Sequence, residues 1–360
     1  MTTRRAALHA AAAALALTAC DGPRARGADM AGGPVPPLKS LAPCPVGSCV
    51  MTPQLSDPAF VALIRAHFNQ ITPEWEMKME RVLADDGTFR FDAADRIADF
   101  ARANGWRLHG TTLVWYAQDP AAFRRVAGDR RAFENAYRNY ILAVAGRYRG
   151  LASGWDVVNE AVAEDGDGYR SGVWGQALGE DYAALAFEHA KEADPGAIRF
   201  LNDYNLETMP AKLDAFQRLL ERLLKRGAPV NGVGIQSHLS ADLPRGYAAR
   251  AIRALASFGL PIHVSELDVS TRPTRFSLEP MSGPAALDSQ ARVVGEVVEA
   301  FMDLPPAQRY AFTVWGVRDE DSWLRRPPNA GDGADRPLLF DDAGRPKPAF
   351  QALAAGFRRA

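Results

Sequence analysis

Cysteine is scarce in this chain of 360 residues, with three in all, at positions 20, 44 and 49. So few thiols exclude a disulfide-built scaffold. No histidine or second cysteine pair stands at ligand spacing beside Cys44 and Cys49, which argues against a zinc site there. Charge of one sign is also lacking: 42 Lys and Arg against 43 Asp and Glu leave a formal net charge of -1. That balance offers nucleic acid no electrostatic handle. The body of the chain has no apolar run of about 18 residues, so no helix is expected to span a membrane there. A His-Glu-x-x-His pattern and a glycine-rich phosphate loop are both missing, so neither a metal nor any other cofactor is expected.

The N-terminus reads as a targeting segment. Arg4-Arg5 precede an alanine-rich run from Ala6 to Ala19, a charged n-region before a short h-region. Thr3-Arg4-Arg5 resembles a twin-arginine export signal. Leu17-Thr18-Ala19-Cys20 resembles a bacterial lipoprotein signal, in which the cysteine becomes the lipidated first residue. An ordinary secretory signal that contains a cysteine is the alternative. Residues 1–19 are therefore expected to be signal, Cys20 the lipidation site, and residues 20–43 a flexible tether. The protein is expected to be exported, to the periplasm or cell envelope, and to meet a membrane only through its lipid. Export permits disulfides, so Cys44 and Cys49, around Pro45-Val46-Gly47-Ser48, are either bridged or two free buried thiols.

From Val46 onward, short apolar runs alternate with amphipathic stretches. Strands are expected at 46–51, 68–74, 107–115, up to Glu160, 197–203, 230–237, up to Glu266, and 310–316. Helices are expected at 57–68 with Ser56 as N-cap, 92–104 with Gly105 as stop, 131–149, 181–192, 210–225, 247–258, 284–302 and 348–358. Eight such units argue for a (β/α)8 TIM barrel, a single α/β domain over 44–360, rather than a doubly wound sheet. A barrel gathers its chemistry at the C-terminal ends of its strands. The unusual residues stand there: Glu74, Trp115, Gln118, Asn159, Glu160, Asp203, Gln236, His238, Glu266, Asp268 and Trp315.

Two of these stretches repeat one design. Gly154-Trp155-Asp156-Val157-Val158-Asn159-Glu160 and Pro261-Ile262-His263-Val264-Ser265-Glu266-Leu267-Asp268 each run apolar residues into a carboxylate. A buried ionisable group at a strand end needs a reason, and a facing pair of carboxylates supplies one. One, protonated, can donate to a glycosidic oxygen while the other attacks or activates water. Asn159 can donate to a sugar hydroxyl, and Trp115, Trp315 and Trp323 offer flat faces to sugar rings.

Further motifs extend the pattern: Thr72-Pro73-Glu74, Met77-Lys78, Thr112-Leu113-Val114-Trp115, Gly234-Ile235-Gln236-Ser237-His238, Thr313-Val314-Trp315-Gly316-Val317, Asp321-Ser322-Trp323, Pro337-Leu338-Leu339-Phe340-Asp341 and Lys347-Pro348-Ala349. In this order, over residues 46–356, they resemble glycoside hydrolase family 10, the xylanase family of retaining (β/α)8 enzymes. The resemblance implies Glu160 as acid/base and Glu266 as nucleophile, with His238 and Asp268 holding the nucleophile. It implies substrate contacts from Asn159, Glu74, Lys78, Trp115, Gln118, Gln236, Trp315 and Trp323, and a xylan-like polysaccharide or oligosaccharide as partner.

The chain departs from that pattern on the non-reducing side. Trp75 stands where the family has Asn, Thr111 where it has His, and Tyr116 where a His usually follows Trp115. Trp75 either adds a stacking platform, or narrows the groove in favour of short or decorated chains, or points into the barrel wall. The readings that remain are an endo-β-1,4-xylanase, a glycosidase of the same mechanism on short or decorated xylo-oligosaccharides or a related β-glycan, and a glycan-binding protein without turnover. Arg325-Arg326 could meet an acidic decoration, or simply face water.

Overall fold

Short runs of β-branched and aliphatic residues, each too apolar to stand in water, become the eight parallel staves of a closed barrel. The computed structural model describes residues 36–359 except 167, 171, 275 and 277–281. The expected signal segment, Cys20 and the start of the tether lie outside the described residues. The strands are β1 (Val46–Val50), β2 (Gln70–Pro73), β3 (Arg107–Trp115), β4 (Ala152–Asn159), β5 (Ile198–Asp203), β6 (Gly232–Ile235), β7 (His238–Ser240), β8 (Ile262–Ser270) and β9 (Arg309–Val314). Each pairs in parallel with its neighbour around the ring, β9 returns to β1, and β6 pairs with β8 across the position of β7. The barrel staves are thus β1 to β6, β8 and β9. All five residues of β1 and eight of the nine in β8 are buried, as expected for strands covered by helices on one face and by the barrel interior on the other.

The sixth strand, expected over 230–237, is shorter, Gly232–Ile235, and a further short strand, His238–Ser240, follows it. Ser237 has φ 61, in the left-handed region, and breaks the strand between β6 and β7. The break delivers Gln236 and His238 to the barrel mouth, while β7 runs beside the far end of β8, with His238 opposite Asp268.

Helices occupy the expected places, among them Pro58–His67, Asp92–Ala103, Arg130–Arg147 and Pro210–Lys225. The first of these is capped by Asp57 rather than Ser56: its carboxylate accepts from the backbone N–H groups of Ala59 (2.9 Å) and Phe60 (3.3 Å). Gly105, at φ 64, ends the helix before β3 as expected. The expected tether is shorter at its C-terminal end. A short helix, Leu38–Leu41, buries Leu38 and sets Lys39 Nζ 2.6 Å from the Arg65 carbonyl, so the folded unit begins at Pro36 rather than at 44.

Cys44 and Cys49 are free and buried, so the bridged alternative fails. Val46 to Ser48, three of the four residues between them, form strand, not loop. At about 3.3 Å of rise per residue the run from Val46 to Cys49 spans roughly 10 Å, which carries Cys49 away from Cys44. Among the described residues no helix is long and apolar enough to cross a membrane.

Candidate active site

The backbone of Glu160, just past β4, takes φ 56. A non-glycine residue held there costs on the order of 1–3 kcal/mol, and such strain gathers at functional sites. Its amide donates to the Asn202 carbonyl at 2.8 Å, which holds the turn. Three donors from three strand ends aim its carboxylate into the mouth. Trp115 Nε1 lies 2.8 Å from Oε2, and Gln236 Nε2 (3.0 Å) and Asn159 Nδ2 (3.2 Å) reach Oε1.

Glu266 lies across the mouth, inside β8. Asn202 Nδ2 donates to its Oε1 at 3.1 Å and to Asn159 Oδ1 at 2.8 Å, so two asparagine amides link one carboxylate to the other. Ser265 Oγ donates to Asn202 Oδ1 at 2.8 Å. His238 stands behind Glu266, with Nε2 3.4 Å from Glu266 Oε2 and Nδ1 3.0 Å from Asp268 Oδ2. The indole N–H of Trp323 donates to the same Asp268 oxygen at 2.8 Å. Burial opposes a charge on His238, but the carboxylates of Asp268 and Glu266 outweigh it and push its pKa up to about 10. His238 is then an imidazolium between two carboxylates. Burial raises the pKa of Glu266, His238 and Lys78 act against that rise, and Asp156 adds to it.

On the β2 side, Glu74 is buried and its carboxylate pairs with the Arg326 guanidinium. Lys78 Nζ stands over three indole rings, 4.4 Å from Trp75, 4.8 Å from Trp115 and 6.0 Å from Trp315. Trp75 therefore faces the groove and not the barrel wall. It lines a cavity of about 540 Å³ together with Glu74, Lys78, Trp115, Glu160, Gln236, His238, Glu266, Trp315 and Trp323.

Of the expected site residues, Gln118 stands back from this cavity. It is buried, and its side-chain oxygen accepts from the Met79 amide at 3.1 Å, so it shapes the turn that carries Lys78. Thr111 is buried in β3. Tyr116 turns its ring to Arg170, whose guanidinium carbon is 4.3 Å from the ring centre. Four lining residues were missed, Tyr204, Pro327, Pro328 and Asn329, while Arg326, noticed with Arg325 as a contact for an acidic decoration or a residue facing water, also lines the cavity. Asn202 was missed too, although the polar run Asn202-Asp203-Tyr204-Asn205 after an apolar strand carried its signal.

Two buried polar groups support the mouth from below. Lys212, fully buried, pairs with Asp203 at 2.9 Å, and Asp203 accepts from the Val162 amide at 3.2 Å, just past Glu160. Burial raises the Asp203 pKa to about 6, with Lys212 opposing and Glu160 reinforcing. Deeper, His109, Asp156 and His263 gather within 4.8 Å of one another, a grouping that their separation along the chain hid. His109 Nε2 stands 3.0 Å from Asp156 and its Nδ1 3.2 Å from the Tyr310 hydroxyl, while His263 Nε2 meets Thr313 Oγ1 at 2.8 Å.

Comparison with known proteins agrees with this geometry. The family model described as glycosyl hydrolase family 10 matches residues 39–356. An endo-1,4-beta-xylanase A of Caldicellulosiruptor saccharolyticus is 37% identical over 307 residues, covering 81% of this chain and 87% of the relative. Another, from Caldicellulosiruptor sp. (strain Rt8B.4), is 36% identical over 325 residues, 86% of this chain but only 45% of the relative. The chain thus spans less than half of that relative's length. A thermostable mutant of a Cellvibrio japonicus xylanase superposes with a TM-score of 0.81 at 34% identity, covering 89% of this chain and 99% of that one. A xylanase structure from Thermobacillus composti gives 0.78 at 35% identity over 89% and 99% of the two chains. A closed (β/α)8 barrel with two glutamates at its mouth, matched along nearly its whole described length, places this chain in glycosyl hydrolase family 10.

Proposed function

We propose that the protein is a retaining endo-β-1,4-xylanase, with Glu160 as acid/base and Glu266 as nucleophile. The observation that carries this reading is the amide bridge between the two carboxylates, through Asn159 and Asn202. It holds both groups on one cavity with different surroundings, which lets one be protonated while the other is charged. The names of the relatives, endo-1,4-beta-xylanases among them, support xylan as the substrate.

In the first step a Glu266 oxygen attacks the anomeric carbon, the bond to the leaving oxygen breaks, and the Glu160 proton passes to that oxygen. In the second, Glu160 takes a proton from water, the water oxygen bonds to the anomeric carbon, and the Glu266 carboxylate leaves. His238, as an imidazolium, favours the charged form of Glu266 before attack and after release. Asn159 donates to the hydroxyl next to the reacting carbon, a contact that strengthens in the transition state. The tryptophans Trp75, Trp115, Trp315 and Trp323 supply the flat apolar walls.

A binding protein without turnover would have no use for a strained Glu160 backbone or for the imidazolium behind Glu266. The test is hydrolysis of unsubstituted xylan, glucuronoxylan and xylo-oligosaccharides, with Glu160→Ala and Glu266→Ala as controls. Release of xylo-oligosaccharides that both substitutions abolish is expected. Glycan binding without turnover in the unaltered protein would sink the proposal. Export and lipid tethering through Cys20 complete the reading, and Cys20→Ala should move the protein from the membrane fraction to the soluble one.

A further inference from the structure

Below the two glutamates, three ionisable side chains from three staves meet inside the barrel. His109 stands in β3, Asp156 in β4 and His263 in β8, and all three are buried. One ligand-type atom of each lies within 4.8 Å of the others. Each residue also keeps one buried polar atom without a hydrogen bond: His109 Nε2, Asp156 Oδ1 and His263 Nδ1. Leaving one such atom unpaired in a protein interior is costly, and three in one place call for a common partner.

The other nitrogen of each imidazole is held from β9. His109 Nδ1 lies 3.2 Å from the Tyr310 hydroxyl, and His263 Nε2 lies 2.8 Å from Thr313 Oγ1. Gly154 keeps the room for the first contact, since a Cβ there would fall 2.6 Å from the Tyr310 hydroxyl oxygen. Histidines that bind a metal are oriented in this way, through the ring nitrogen that the metal does not use. With the ring protons on the nitrogens that face hydroxyls, His109 Nε2 and His263 Nδ1 keep their lone pairs. Burial, helped by His109 and Arg107, holds the His263 pKa well below the ordinary imidazole range, so the ring stays a neutral electron-pair donor.

His109 Nε2 stands 3.0 Å from Asp156 Oδ1 without forming a hydrogen bond to it. A lone pair facing a carboxylate oxygen is repelled, and a cation between them would attract both. Ligand atoms about 2.0–2.1 Å from a tetrahedral zinc stand roughly 3.3 Å from one another, so the spacing suits such an ion. Two imidazoles and a carboxylate are a donor set for zinc, with water as the fourth ligand. Aromatic rings close around the group: the Phe200 ring lies 5.4 Å from that of His109, and the Tyr310 ring 5.1 Å from that of His263. Such an apolar shell keeps solvent away from bound metal.

We propose that His109, Asp156 and His263 hold one zinc-type divalent ion in the barrel interior, tying β3, β4 and β8 together. Its role is structural, because all three ligands are shut off from solvent. The site goes beyond the glycosidase reading and does not depend on it. Its readout is metal content, not turnover.

The test uses the full chain without a histidine tag, produced in zinc-supplemented medium and desalted into metal-free buffer. Elemental analysis should find one zinc per chain. An anomalous difference map at the zinc edge should place the ion between the three side chains. Protein from zinc-depleted, cobalt-supplemented medium should show the visible absorption of four-coordinate cobalt(II). Asp156→Asn and His263→Gln keep the side-chain size and remove one ligand. Each should retain less than about a tenth of the zinc, since even an outer partner of a ligand is worth tenfold or more in affinity. An unaltered chain with neither zinc nor the cobalt absorption would overturn the proposal, whether or not the variants fold. So would an ion mapped elsewhere, or full zinc content in the two folded variants.

Discussion

Gly234 leaves the space that Asn202 fills: a Cβ at position 234 would fall 2.2 Å from Asn202 Oδ1. Asn202 in turn joins Asn159 to Glu266. A glycine in β6 thus decides whether the amide bridge between the two carboxylates can form. Gly234→Ala should push Asn202 aside, cost about 1–3 kcal/mol of stability by overpacking, and lower kcat more than it raises KM. Thermal melting together with steady-state kinetics on xylotriose checks both parts.

The pH profile should report His238. As the proposed nucleophile Glu266 would have to be charged to attack, and its pKa is raised by burial against the opposing pull of His238 and Lys78. As pH falls through that raised pKa the nucleophile is lost, so the acid limb of kcat/KM is expected above the ordinary glutamate range near 4.3. His238→Gln removes the imidazolium and its pull, so the limb should move to still higher pH. A variant whose limb stays in place, or moves to lower pH, would show that His238 does not govern the charge of Glu266.

Trp75 gives Lys78 a third indole face. Trp75→Asn, which installs the side chain the family pattern has here, removes that face and the flat wall beside it. The loss of about 1 kcal/mol of cation–π and stacking contact should appear as a several-fold higher KM on xylotriose, with kcat little changed. An unchanged KM would place Trp75 outside the sugar path.

Lys212 is a buried lysine whose partner, Asp203, lies below Glu160. Lys212→Met strands the Asp203 carboxylate in the interior. Breaking such a pair from one side costs about 3–5 kcal/mol, and a clear fall in melting temperature is expected. If Asp203→Asn in the same background restores stability, the lost charge pairing is the cause.

The two thiols offer a simpler check. Cys44 and Cys49 should both be alkylated in denaturant without prior reduction, since neither is bridged. Peptide mass mapping showing them joined would contradict the strand geometry between them.

Much of this was legible before the fold. Barrel strands announce themselves as apolar runs that stop at a polar residue, so Glu160, Glu266, Asn159, Gln236 and Asp268 could be found from local pattern alone. The break at Ser237 could not, because a left-handed serine leaves no trace in hydrophobic periodicity. Arg326 was noticed only as one of two adjacent arginines. Its partner, Glu74, stands far away in the chain at the end of another strand, and only closure of the barrel brings β9, β1 and β2 side by side. The same holds for His109, Asp156 and His263, which three separate strands bring together. The Cys44–Cys49 spacing suited a bridge until the residues between them proved to be extended.

The central claim is that Glu266 forms a bond to the sugar. The direct measurement is intact-mass and peptide mapping after incubation with a 2-fluoro-xylobioside bearing a good leaving group, which slows the second step and lets the intermediate accumulate. The account predicts one fluoro-xylobiosyl group per chain, on the peptide carrying Glu266, and none in Glu266→Ala. Turnover of xylan without any such label on the unaltered enzyme, or a label on another residue, would contradict it.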